Sequence, residues 1–218
     1  MSKVDLDSIL NEARSQFKNK DKGLGQQIMR GSHIYVPEHS TKDFVYWPNS
    51  PWSLMTGIPG IPFGKIVQIA GKPDSGKSTH AMKFMTLAQE QDRTVILWDT
   101  EQKFSATRFD NHFGGCSDEL LLVSNQIILD GGDLCKALVA SLLEKYSDRK
   151  VLLVWDSVGG SISRGEGDKS FRDTSQMAEA AKDNGKIMRG FVALAERFRN
   201  EKTGEYRLAT CLINQTYS

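Results

Sequence analysis

The sequence has little of what would mark a membrane, secreted or metal-built protein. Its apolar runs are only about five or six residues long, against the roughly 20 that a membrane-spanning helix needs. The N-terminus MSKVDLDSIL lacks the apolar core of a secretory signal. Cysteine is scarce and scattered: Cys116, Cys135 and Cys211 have neither the paired spacing of a zinc site nor the even count of a disulfide framework, so buried or incidental thiols are expected. Charge of one sign is also lacking, with 28 lysines and arginines against 27 acidic residues. No global positive field draws in nucleic acid, and any contact with DNA must come from local loops or from assembly. Repeats and low-complexity segments are absent. A soluble, cytoplasmic protein is expected. What is present, 218 residues of which 39% are hydrophobic, suffices for one sizeable core and a small appendage.

Residues 1 to about 50 read differently from the rest. A short amphipathic helix signal (Leu6, Ile9, Leu10, Ala13, Phe17) precedes a polar run and then a loop rich in aromatics and prolines through Trp52. This predicts an N-terminal helical arm and linker over 1–50 and a core over 51–218. From Lys65 onward the runs IVQIA, TVILW, ELLLVS, VLLVW and LATCLI alternate with segments long enough for crossover helices. Continuous apolar runs of this kind suit strands buried on both faces. The fold class expected is α/β with a mainly parallel central sheet.

The stretch Gly71-Lys-Pro-Asp-Ser-Gly76-Lys77-Ser78 fits the phosphate-loop pattern of Gly, four free positions, Gly, Lys and Ser or Thr. A chance match in a chain of this length has odds on the order of one in a hundred. Here a strand precedes it, and Ala81, Phe84, Met85 and Ala88 mark the apolar face of a helix after it. Glycines let the backbone curl so that its N–H groups point at phosphate oxygens. Asp74, Ser75 and Thr79 lie in or beside the cradle, Lys77 supplies a cation to the β and γ phosphates, and Ser78 offers its hydroxyl to magnesium. The helix turns the positive end of its dipole toward the anion. The expected ligands are ATP and Mg2+.

Two further strands run into acid. Val151–Trp155 ends in Asp156, the form of the second NTPase motif, in which a strand-end carboxylate holds magnesium. A turn or cap aspartate is the alternative. Val95–Trp98 leads into Asp99-Thr100-Glu101, which places Glu101 in a loop where it can orient or deprotonate a water attacking the γ phosphate. The alternative, an N-cap acid before the next helix, fits Asp99 better than Glu101.

On these residues, together with Gly57-Ile-Pro-Gly60, Gly64-Lys-Ile-Val, Trp155-Asp156-Ser157 and Ile213-Asn-Gln215, the chain resembles the RecA, archaeal RadA and phage UvsX recombinase family over nearly its whole length. The resemblance implies a RecA-like P-loop ATPase core in which Glu101 activates water, while Gln215 senses the γ phosphate and relays its presence to DNA-binding segments. Asp99 to Phe109 is similar to the archaeal and eukaryotic branch, where the arginine at the Arg108 position lies on adenine, a contact open to a planar guanidinium. A solvated helix arginine is the alternative. Arg164, Lys169, Phe171 and Arg172 occupy the place of the family's first DNA-binding loop, with cations and an aromatic for phosphates and bases. The nearby Glu166, Asp168 and Asp173 leave open a surface loop of mixed charge. The N-terminal helix resembles the arm by which each protomer docks on its neighbour, although its periodicity fits equally a helix folded onto its own domain.

The chain stops at Tyr217-Ser218, where the family continues with a second DNA-binding loop, further strands and interface residues. The expectation is therefore a C-terminally incomplete member, a fragment or one half of a split gene, with a separate C-terminal polypeptide as a partner in the last case. The function expected is a DNA-dependent ATPase of homologous recombination and repair. It forms filaments or rings with itself on single-stranded DNA and promotes strand exchange. The alternatives are an ATP-binding regulator on the same fold and a hexameric helicase motor.

Overall fold

Every apolar run becomes a strand. The computed structural model describes residues 41–114, 121–124, 128–160 and 174–216. Five strands, β3 (Ile66–Gly71), β4 (Thr94–Asp99), β5 (Leu121–Ser124), β6 (Val151–Asp156) and β7 (Leu208–Gln215), form one sheet in the order β3-β7-β6-β4-β5. All four pairings are parallel. Parallel neighbours need crossovers, and helices supply them: α2 (Lys77–Glu90), α3 (Ala106–Phe113), α4 (Ile128–Lys145) and α5 (Thr174–Arg197).

The side-chain period of two divides each strand between two cores. Ile96, Trp98, Leu153 and Trp155 pack with Val139, Leu143, Ile187 and Phe191 of α4 and α5. Val95, Leu97, Leu152 and Val154 pack on the other face with Ala81, Phe84, Met85 and Ala88 of α2 and with Phe109 of α3. Burial on both faces explains why these strands carry no polar alternation. The four predicted positions on α2 form its buried face as expected.

All described residues fall in one compact unit, which includes 41–50, the stretch read from composition as linker. A 3-10 turn over Thr41–Asp43 leads into β1 (Phe44–Tyr46), which pairs antiparallel with β2 (Gly60–Pro62). Val45 is wholly buried, and the Trp47 and Trp52 rings meet Phe84 edge-on at 5.3 and 5.0 Å. Ser50 caps the short helix α1 (Pro51–Thr56) by accepting from Ser53 N. What reads locally as an aromatic linker is core, because its apolar side chains cover the α2 face of the sheet. The arm expected before it, including Leu6 to Phe17, lies outside the described residues. No helix among the described residues is long and apolar enough to cross a membrane.

Candidate functional site

Strand register assembles the site. In parallel pairing Asp99 stands opposite Asp156 and Gly71 opposite Gln215, so residues up to 144 positions apart share one C-terminal sheet edge. The loop between β3 and α2 folds over that edge and encloses a cleft of about 320 Å³, a size usual for small-molecule sites.

The loop is shaped by its glycines. A Cβ on Gly71 would come within 2.8 Å of Ser75 Oγ, so the tight curl excludes larger residues there. Gly76 caps α2 at φ 85°, the left-handed region that glycine enters without strain, and contributes no side-chain cap. The first N–H groups of α2 therefore have no capping side chain or first-turn carboxylate, the condition under which a helix N-terminus takes an anion. The Lys77 side chain is nearly buried, and its Nζ donates to the Lys72 carbonyl at 2.6 Å. Asp74, Gly76, Lys77, Ser78 and Thr79 line the cleft, while Gly71 and Ser75 support it from within the loop.

The strand-end acids face this loop. Burial pushes the Asp156 carboxyl above its ordinary range, partly offset by a hydrogen bond from the Ser78 hydroxyl, with the charges of Glu101 and Asp99 adding to the rise. A hydroxyl and a carboxylate, both hard oxygen donors, with the charges of Glu101 and Asp99 nearby, suit a small divalent cation. Ser78 and Asp156 are the residues that would hold magnesium. Among the described residues no cluster of three or more His, Cys, Asp or Glu is placed to hold a metal ion.

Glu101 is gripped on three sides. Its Oε1 accepts from Ser157 Oγ at 2.5 Å and from Gln215 Nε2 at 2.9 Å, and its Oε2 accepts from Lys103 Nζ at 2.6 Å. Burial raises its pKa, but the bonds from Lys103, Ser157 and Gln215 and the charge of Lys103 outweigh this and leave the carboxyl below its usual range. Glu101 is thus ionised and able to accept a proton. Neither acid is a helix cap: Ser105 caps α3 by accepting from Arg108 N, and Asp99 accepts from Phe104 N at 2.7 Å. Arg108 lines the cleft beside Phe104 and Met82.

Sequence reasoning assigned no role to Lys103, Ser157 and Gly160. Ser157 follows Asp156 directly and also accepts from Gly160 N at 3.0 Å, and its place in the Trp-Asp-Ser motif was the available signal. Lys103 had none beyond its distance of two residues from Glu101. Arg164, Lys169, Phe171 and Arg172 lie outside the described residues. Cys135 and Cys211 are buried free thiols, as expected.

A parallel sheet with a glycine-rich loop, two strand-end acids and a glutamine amide at one edge is the build of a RecA-like α/β domain. The model of the RecA N-terminal domain family matches residues 22–203, and the chain belongs to that family. RecA proteins of Listeria welshimeri and of Listeria monocytogenes serotypes 4a and 4b are each 26% identical to it over 159 residues, or 72% of this chain. The aligned part is 44% of each relative's length, so the chain spans less than half of the curated relatives it matches.

Proposed function

We propose that this chain binds ATP with magnesium and is the ATPase core of a recombinase that acts on single-stranded DNA. What supports the reading is the position of Glu101, ionised and fixed at the edge of a cleft whose opposite wall is the uncapped loop with Lys77 and Ser78. Lys77, moved from the Lys72 carbonyl to the nucleotide, meets the β and γ phosphates, and the backbone from Asp74 to Thr79 receives their oxygens. Arg108 lies against the base. Ser78 and Asp156 would hold magnesium, which when bound would supply charge neutralisation at the phosphate oxygens. Glu101 takes a proton from the attacking water as the new O–P bond forms, while the bond to ADP breaks with its electron pair staying on the β-phosphate oxygen. Gln215, already bonded to Glu101, has its amide where an arriving γ phosphate competes for it. The loop carrying Arg164, Lys169, Phe171 and Arg172 is the proposed DNA contact, and self-association on DNA into filaments or rings is proposed from the family.

The test is ATP turnover and sedimentation on the longest natural form of the protein, across a titration with single-stranded DNA. Turnover stimulated by DNA, together with faster sedimentation, is expected. ATP binding without either response would make the chain an ATP-binding regulator and overturn the recombinase reading.

A further inference from the structure

The hydrogen bonds to Glu101 leave little freedom in how it meets water. A carboxylate has about four lone-pair sites. Oε1 uses two, on Ser157 Oγ and Gln215 Nε2, and Oε2 uses one, on Lys103 Nζ. Counting the described residues, one acceptor site therefore remains, on Oε2, beside the Lys103 ammonium. Lys103 reaches back over only two residues because Gln102 between them adopts φ 54°, a left-handed turn that a residue other than glycine enters at some cost. Its side chain is 76% exposed against 15% for Glu101. An exposed lysine paired in this way contributes little to folding stability, so the contact matters through orientation.

We propose that Lys103 is a positioning residue: it holds the Glu101 carboxylate in one rotamer with a single acceptor site, on Oε2, for the attacking water. The opposite side of Glu101 is closed by Gly160, where an added Cβ would lie 2.7 Å from Glu101 Cγ, and by Ser157. Among the described partners of Glu101, Lys103 is the most exposed. Its hydrogen bond to Glu101 Oε2 at 2.6 Å places the ammonium beside the oxygen that would meet the water. The inference rests on Glu101 being the group that takes the water's proton.

The experiment compares the wild-type chain with Lys103→Ala, Lys103→Arg, Glu101→Gln and the double variant Glu101→Gln/Lys103→Ala. It measures affinity for a fluorescent ATP analogue with magnesium, the single-turnover hydrolysis rate, and the Glu101 rotamer by NMR couplings of its side-chain methylenes. Lys103→Ala should keep its affinity within about twofold and lose roughly five- to tenfold in rate. Lys103→Arg should recover most of that rate, and Lys103→Ala should cost nothing further in the Glu101→Gln background. The wild type should show one Glu101 rotamer and Lys103→Ala an average of several. An equal rate loss in the Glu101→Gln background, or a loss of affinity in place of rate, overturns the proposal. So does a single rotamer that persists in Lys103→Ala, a result that needs no turnover at all. Equal hydrolysis by wild type and Glu101→Gln would instead sink the reading of Glu101 as the base, and the rotamer measurement would still decide whether Lys103 holds it.

Discussion

Replacing Glu101 by glutamine separates the chemistry of this cleft from its binding and its fold. The amide has the size of the carboxylate, and its oxygen can keep the bonds from Ser157 Oγ and Gln215 Nε2. Its NH2 group then points at Lys103 Nζ, where the oxygen had accepted at 2.6 Å, so two donors face one another. Lys103, largely exposed, turns out into water. The loss is that of an exposed ion pair, about 0–1 kcal/mol. This difference has a pH dependence of fixed sign. The folded carboxyl titrates below the 4.5 of the free group, so its stabilisation is present in full above that value and is lost as pH falls through the folded one. Wild type and variant should therefore converge in stability in acid. Hydrolysis behaves differently, because an amide cannot take up the water's proton: the rate should fall by about 10²- to 10⁴-fold. Affinity for ATP should stay within about threefold, since the groups that hold phosphate are untouched. The assays are phosphate release with and without single-stranded DNA, titration with a fluorescent ATP analogue, and urea unfolding at pH 7 and pH 3.5. A folded variant that hydrolyses ATP at the wild-type rate refutes the reasoning and returns Glu101 to a structural role.

Lys77→Ala removes a nearly buried ammonium whose partner in the free cleft is one backbone carbonyl. Equilibrium dialysis should show ATP binding lost while the circular dichroism spectrum is kept, and unchanged affinity would reject the phosphate-loop assignment. Gly160→Ala places a methyl group against Glu101 Cγ and should slow hydrolysis by roughly tenfold or more with little change in nucleotide affinity. A wild-type rate would mean that Glu101 tolerates displacement. Arg207→Ala frees the carbonyls of Leu143, Tyr146 and Ser147 at the end of α4 and of Phe198 after α5, all bound by one guanidinium at 2.9–3.1 Å. It should cost about 2–3 kcal/mol and lower the melting temperature by about 4–12 °C, whereas an unchanged melt would show that water replaces the guanidinium freely. Burial pushes the Cys135 and Cys211 thiols up to about 12, so neither should react with a thiol reagent at pH 8 until urea is added, as followed by peptide mass mapping. Because only the unfolded thiols ionise between pH 9 and 12, stability should fall as pH rises through that window.

The sequence by itself determined the sheet and the glycine-rich loop. VLLVW and TVILW carry their burial in composition, because a strand covered on both faces has no polar side to display. The run Gly71 to Ser78 carries its turn in the only residue types that can make it, as with Gly76 at φ 85°. These are local constraints, and one residue after another states them. The tertiary structure decided what depends on contacts between distant segments. Residues 44–50 read as linker because their alternation is too short to register as a strand, and only the pairing of β1 with β2 and the packing of Trp47 on Phe84 make them core. Asp156 and Glu101 could each be read from sequence as caps, and parallel register together with the bonds from Ser157, 56 residues from Glu101, and Gln215, 114 residues from it, made them one site. The grip of Lys103 on Glu101 belongs with these. It depends on a left-handed turn at Gln102, a residue type that carries no signal for one, and such a turn persists only when the surrounding fold holds it in place.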